Sequence, residues 1–186
     1  MTTRYSHAPR PVGGPITFTL EGDRLIVDSG RKVHEVALGA VDQVRMTYEP
    51  RSFVHRAFQT RVRMRDGKTF AFSSLNWRSL IEAERLDKEY RAFARTLFDA
   101  IARANPEARF VSGRPRAVWI GSAILAAASL FAMALFTWRA MQAGAVTAAL
   151  MGLVFALVGI WQLEPMVRLN RPRRFTPDEP PPDLMP

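Results

Sequence analysis

The chain has 186 residues and a formal net charge of +9, from 26 Lys and Arg against 17 Asp and Glu. Because single cores typically take ~100–200 residues, this length suits one globular domain with a smaller addition and excludes two independent enzyme domains. Cysteine is absent, which excludes disulfides, thiolate metal sites and cysteine nucleophiles.

The first fifteen residues contain no apolar run that could serve as a signal peptide. Gly13-Gly14-Pro15 is a loop and matches no phosphate-binding glycine motif. We therefore expect residues 1–15 to be flexible and the targeting information to lie later in the chain.

From residue 16 onward, short segments alternate between apolar and polar side chains, a pattern typical of half-buried strands. Glu21-Gly22-Asp23 separates two such segments and Asp66-Gly67 separates two others, so each predicts a hairpin turn. Six or seven strands are expected, with the clearest at residues 16–20, 24–28, 32–38, 41–49, 59–65 and 68–74.

Between Asp87 and Asn105 the apolar period becomes helical, and Pro106 closes the segment. The apolar stripe of this helix consists of Tyr90, Phe93, Ala94, Leu97, Phe98 and Ile101. Strands followed by one amphipathic helix predict an α+β domain over residues 16–112, in which the helix caps an open antiparallel sheet or barrel.

This order of elements resembles the pleckstrin-homology-like (PH-like) domains found in small bacterial membrane proteins. The resemblance covers about residues 16–106 and is one of architecture. It implies a module that binds lipid headgroups or protein segments without catalysis. Phosphoinositide-binding members place Lys and Arg in the turn between the first two strands, but this chain has Glu21-Gly22-Asp23 there. Recognition of inositol phosphates is therefore not expected.

Two long segments, residues 117–138 and 140–163, contain no charged side chain, and Arg139 lies between them. Each is long enough to cross ~30 Å of hydrocarbon at ~1.5 Å per residue. Because an Arg at the centre of a span costs at least ~2.5 kcal/mol, the chain should turn at about residues 139–144. We predict transmembrane helices at residues 117–138 and 143–163.

The charges that flank the two spans predict their orientation. Four arginines precede the first span and four follow the second, whereas the turn holds only Arg139. This positive-inside bias predicts that both termini face the cytoplasm, and the resemblance to bacterial membrane proteins implies that the membrane is the bacterial inner membrane. The flanking arginines are Arg103, Arg109, Arg114, Arg116, Arg168, Arg171, Arg173 and Arg174.

Small residues recur at four-residue spacing in the second span, at Gly144, Ala148, Gly152 and Ala156. Close approach of helices in lipid depends on such residues. The line could pack the hairpin on itself or form the interface of a homo-oligomer. The body of each span has no ionisable side chain, so an ion path or proton relay has no residues to use.

The strongest local charge feature combines strand and loop residues with interleaved Phe and Met. Beside a membrane it could bind anionic lipid, at about 1 kcal/mol per Lys or Arg close to the surface, or it could be an ordinary solvated face. Nucleic-acid binding would also suit the net charge, but juxtamembrane charge explains it more simply. This cluster consists of Arg51, Arg56, Arg61, Arg63, Arg65 and Lys68.

The sequence predicts no catalytic, cofactor-binding or metal-binding residue. His7, His34 and His55 lack the spacing of metal ligands. The segment 164–186 is basic, then rich in proline and acid, and should be extended. It is either a docking peptide with Leu184 and Met185 as apolar anchors or a disordered tail without a partner.

Together these features predict a non-enzymatic, membrane-anchored adaptor that presents its soluble domain to a protein or to anionic lipid. The alternative is an accessory or assembly subunit of a larger inner-membrane complex, which would contact its partners through the helical hairpin.

Overall fold

The computed structural model describes residues 2–50 and 56–186. These residues form two compact units. The first, which we call the soluble unit, comprises Met1–Gly113 with Arg173–Pro186, and the second comprises Arg114–Pro172. The predicted α+β fold class is confirmed, because antiparallel sheets are followed by a hairpin of two apolar helices.

The first sheet of the soluble unit is fully antiparallel, with its strands in chain order. The turn between its second and third strands begins at Gly22, which has φ +60° and pairs Glu21 with Arg24, so the predicted hairpin is confirmed. The strands are β1 (Thr2–His7), β2 (Ile16–Glu21), β3 (Arg24–Asp28) and β4 (Val33–Ala37).

The expectation that residues 1–15 are flexible is wrong for β1. Tyr5 and His7 from this strand are buried in the core, and the Tyr5 hydroxyl donates to the carbonyl of Ser73 at 2.5 Å. Two aromatic side chains and a full register with β2 hold the strand in place. Its other residues are polar, so the sequence carries little apolar signal for a strand.

The second sheet has the order β11-β10-β5-β6-β7, and only the β10–β5 pair is parallel. The predicted turn at Asp66-Gly67 is confirmed: Gly67 has φ +85°, and the Asp66 carboxylate accepts the Lys68 amide at 2.9 Å. The strands are β5 (Val41–Tyr48), β6 (Phe58–Met64), β7 (Thr69–Ser73), β10 (Arg109–Ser112) and β11 (Arg173–Arg174), and a separate hairpin holds β8 (Leu75–Trp77) and β9 (Ala83–Arg85).

Helix α1 (Asp87–Ala104) buries its predicted apolar stripe, and all six residues of the stripe lie in the core. The Tyr90 hydroxyl meets the Thr60 hydroxyl of β6 at 2.7 Å, and Phe93 packs edge-on against Phe72 of β7. The helix ends one residue before the predicted end, where the Asn105 side chain donates to the carbonyl of Val41 at 2.8 Å. Because this stripe packs against one face of the second sheet, the opposite face of that sheet is exposed.

The second unit consists of helices α2 (Arg116–Gln142) and α3 (Val146–Leu169). Both helices are longer than the predicted spans 117–138 and 143–163. Arg139 remains inside the last turn of α2, where a cation complements the helix dipole, and the chain reverses at Gly144, with φ +70°.

The predicted tail of residues 164–186 is divided in the structure. Residues 164–169 continue α3 through Pro165, whereas residues 173–186 belong to the soluble unit. The soluble unit therefore extends beyond the predicted limits 16–112 at both ends, because β1 and the tail both contribute to its core.

Candidate functional site

The exposed side of the second sheet carries a group of arginines that we call the basic face. Residues paired directly across neighbouring strands project on the same side of a sheet. Arg45 of β5 pairs with Arg61 of β6, while Gln43 pairs with Arg63 of β6 and with Arg109 of β10. The basic face comprises Arg45, Arg61, Arg63, Arg109 and, through the pairing of β11 with β10, Arg174.

Carboxylates neutralise part of this charge. Asp42, at a bulge in β5, accepts from Arg63 at 2.5 Å and from Arg109 at 2.7 Å. These hydrogen bonds, the one from Arg109 first, lower the pKa of Asp42. Arg61 pairs with Glu49 at 2.7 Å. The basic face thus keeps a positive excess, with five guanidinium groups against two carboxylates.

Arg45 differs from its neighbours because it is half-buried. Its guanidinium donates to the carbonyl of Gly113 at 2.8 Å. Burial, together with the charges of Arg63 and Arg61, lowers its pKa. The alternation in β5 places Arg45 on the side opposite the core. Its proximity to Arg109 depends on the parallel pairing of β5 with β10, whose paired residues lie 66 positions apart in the chain, and local patterning does not reveal such a pairing.

Five of the six residues of the predicted basic cluster lie among the described residues. Arg51 lies outside the described residues, and Arg56 is exposed just before β6. Only Arg61 and Arg63 lie on the basic face. Arg65 and Lys68 flank the β6–β7 turn, where they line a cavity of about 300 Å³.

An open cavity of about 670 Å³ lies beside the basic face, between the end of α1, β10 and the tail. Phe110 and Phe175 provide apolar surface, and their rings meet edge-on at 5.7 Å. Three guanidinium groups line the cavity, those of Arg103, Arg109 and Arg174, together with the carboxylates of Asp99 and Asp178.

The small-residue line of the second span lies mostly between the two helices. Gly152 is buried, and a methyl group added there would lie 2.4 Å from the Thr137 hydroxyl and 3.1 Å from the Phe136 ring. Ala148 and Ala156, on the same line, are half-buried. Gly144 is not a packing residue, because it lies exposed in the turn with a positive φ.

The outer surfaces of α2 and α3 are apolar and uncovered. Both helices are long and apolar enough to cross a membrane, with mean hydropathies of 2.1 and 2.0. In the most apolar 18-residue stretch of each helix, only 6% of α2 and 11% of α3 is buried. Leu125 and Phe131 are 69% and 71% exposed. A core helix of a soluble protein would hide these side chains.

The residues predicted as docking anchors, Leu184 and Met185, are buried in the chain's own soluble unit, at 2% and 8% exposure. Both alternatives drawn from the sequence, a free docking peptide and a disordered tail, therefore miss the observed arrangement. The signal that could have indicated it is the apolar pair itself, together with Phe175, in an otherwise polar and proline-rich segment.

Two of the three histidines, His7 and His34, lie among the described residues. His7 stacks between Tyr5 and Phe18, and burial lowers its pKa to about 4. His34 lies near Phe70, and His55 is outside the described residues. Among residues 2–50 and 56–186, no group of three or more His, Asp and Glu side chains could hold a metal ion.

No family model matches the chain, and no curated protein is similar to it in sequence. The arrangement of its own residues is therefore the basis for a functional proposal.

Proposed function

We propose that the chain is a non-enzymatic binding module anchored in a membrane by the α2–α3 hairpin. The exposed apolar surface of both helices carries this proposal. Soluble monomers rarely expose an apolar surface that extends along two whole helices, whereas such a surface is compatible with lipid. The hydroxyls of Ser122, Ser129 and Thr137 each donate to a carbonyl of their own helix, which suits a medium without water.

The distribution of arginine supports an orientation with both ends of the hairpin in the cytoplasm of a bacterial cell. Arg139 is the single charge near the turn, and four arginines lie on either side of the helix pair. Three residues join β10 to α2, and three join α3 to β11. In this orientation both connections lie on the cytoplasmic side of the membrane.

The soluble unit presents a PH-like domain in this proposal. The strands before α1 and the single amphipathic helix after them keep the element order on which the resemblance rests. The basic face is the surface suited to anionic lipid headgroups, because guanidinium forks bind phosphate oxygens in pairs. Arg103, Arg109 and Arg174 around the adjoining cavity extend the same charge.

The alternative role as an accessory subunit relies on the line Gly144, Ala148, Gly152 and Ala156. Gly152 lies close to Thr137 and Phe136 within the hairpin, and Gly144 is exposed in the turn, so neither glycine supports a contact with a partner helix. The membrane-anchored module is therefore the better supported of the two.

The anchor can be tested with single cysteines, because the chain has none of its own. Ala143→Cys, in the turn after α2, should react with a membrane-impermeant maleimide added to intact cells. Lys32→Cys, in the exposed β3–β4 turn, should react only after lysis. Reversed labelling would contradict the orientation, and release of the full chain by alkaline carbonate would contradict the anchor.

Lipid binding can be tested with a fluorescent phosphatidylglycerol and the full chain in neutral detergent. Replacing both Arg61 and Arg63 by Gln should weaken binding by up to roughly 30-fold at low salt, from about 1 kcal/mol per residue. The matched control replaces Arg31 and Lys32, in the β3–β4 turn, by Gln. Equal behaviour of the two double variants would identify the basic face as an ordinary solvated surface.

A further inference from the structure

The tail of residues 173–186 covers a surface that we call the tail groove, bounded by α1 on one side and by β5 and β10 on the other. Phe175 packs against Phe98 of α1 and Phe110 of β10, with ring centroids 5.8 and 5.7 Å apart. Farther along, the turn Pro182–Leu184 lies against β5. The groove therefore holds the tail at two apolar points.

Polar contacts fix the direction in which the tail lies. The Phe175 amide donates to the carbonyl of Phe110 at 3.2 Å. At the far end, the Arg91 guanidinium donates to the carbonyl of Pro186, at 2.8 Å from its Nε. Between these points the tail bonds mainly to itself: the Glu179 amide donates to the carbonyl of Thr176 at 3.1 Å, and the Leu184 amide donates to the carbonyl of Pro181 at 3.0 Å. The groove contributes an apolar floor and one cation, which are the elements of a peptide site.

The tail has the composition of a short peptide ligand. Prolines 177, 180, 181, 182 and 186 restrict its backbone before it docks, so little conformational freedom is lost on binding. Leu184 and Met185 then supply two adjacent anchors that the groove buries. Its regular backbone pairing with the sheet is limited to the two residues of β11, so local release requires few bonds to break.

We propose that the tail groove is a peptide-recognition site. Residues 175–186 occupy it in the resting chain, and a proline-rich segment of a partner protein that carries two adjacent apolar side chains at a turn takes their place. The inference rests on the proposed function as a binding module and names the class of its protein partner. Proline-rich segments are commonly recognised in aromatic-lined grooves, because proline restricts their backbone before they bind.

The test uses the full chain in neutral detergent and a fluorescein-labelled, C-terminally amidated peptide with the sequence of residues 175–186. Leu184→Asp should release the tail, because a carboxylate cannot occupy the apolar pocket of Leu184. The peptide should bind this variant at least tenfold more tightly than the unmodified chain, whose tethered tail competes at an effective concentration near millimolar. A peptide with Asp in place of Leu184 should not bind.

Two further variants, made together with Leu184→Asp, test the polar contact. Arg91→Ala should weaken peptide binding several-fold, because Arg91 bonds the carbonyl of Pro186. Lys88→Ala, also exposed on α1, should leave binding unchanged. If the Leu184→Asp chain keeps its helical circular dichroism and melting temperature but does not bind the peptide, the proposal is overturned.

A second measurement covers the case in which Leu184→Asp does not fold. Millimolar peptide added to the unmodified chain should increase hydrogen exchange over residues 175–185, because the peptide displaces them. Unchanged exchange at saturating peptide would overturn the proposal as well. Neither measurement depends on membrane insertion or lipid binding, so failure here would leave the anchored module intact.

Discussion

Helix α1 and the helices α2 and α3 contain similar apolar residues but distribute them differently. In α1 they form one stripe, which the sheets bury, and charged residues occupy the rest of the surface. In α2 and α3 apolar residues lie all round, and the buried ones, such as Ala126 and Gly152, are small. Burial of large residues therefore marks a helix that packs in water, and exposure of large residues with burial of small ones marks a pair suited to lipid.

The largest expected effect comes from removing an aromatic ring on each side of this comparison. Phe93→Ala should destabilise the soluble unit by about 3–5 kcal/mol, since Phe93 is buried among Tyr5, Phe18 and Phe72. Phe131→Ala on α2 should change the unfolding free energy by less than about 0.5 kcal/mol in detergent, because Phe131 is 71% exposed. Urea titration of the full chain measures both, and comparable losses would contradict the different surroundings of the two helices.

The contrast also explains what could be predicted from the sequence. Period-two alternation located β2–β7, the helical stripe located α1, and unbroken apolar runs located α2 and α3, because each of these signals is local. β1 was missed because only Tyr5 and His7 among its residues face the core. The docked tail and the basic face were missed for another reason. Both depend on contacts between segments far apart in sequence, such as Phe175 with Phe98 and Arg109 with Asp42.

Acid should lower the unfolding free energy of the soluble unit but not that of the helical hairpin. Burial lowers the pKa of His7 to about 4, from an unfolded value near 6.5, so the unfolded chain binds the proton more readily than the folded one. The resulting stability is fully present above pH 6.5 and falls as the pH decreases toward 4, by about 3 kcal/mol in total. Urea titrations at pH 7 and pH 4 should show this loss in the soluble unit.

His7→Phe is the matched control for the acid effect, since a Phe ring can keep the stacking with Tyr5 and Phe18. This variant should lose about 3 kcal/mol less stability between pH 7 and pH 4 than the unmodified chain. The helical hairpin has no histidine, so its circular dichroism should persist in both. An identical pH dependence of the two chains would show that His7 is not the titrating group.

A smaller effect is expected where the two helices touch. Gly152→Ala should destabilise the hairpin by about 1–3 kcal/mol, because the added methyl would lie 2.4 Å from the Thr137 hydroxyl. Gly121→Ala on α2, where nothing lies within 4 Å, should be neutral or slightly stabilising. Thermal melts in detergent compare the stabilities of these two variants. Combining Gly152→Ala with Thr137→Ala should recover part of the stability that Gly152→Ala loses. A loss for Gly121→Ala equal to that for Gly152→Ala would argue against this helix contact.

The smallest expected effect distinguishes Gly144 from Gly152, which belong to the same small-residue line in the sequence. Gly144 lies at φ +70° with nothing within 4 Å of an added methyl, so Gly144→Ala should cost about 1 kcal/mol through backbone strain alone. Asn tolerates this conformation better than Ala, so Gly144→Asn should recover most of that loss. At Gly152 the larger Asn should instead be worse than Ala, because the limit there is space. The order of Ala and Asn in thermal melts should therefore reverse between the two sites, and the same order at both would mean that Gly144 also packs against a helix.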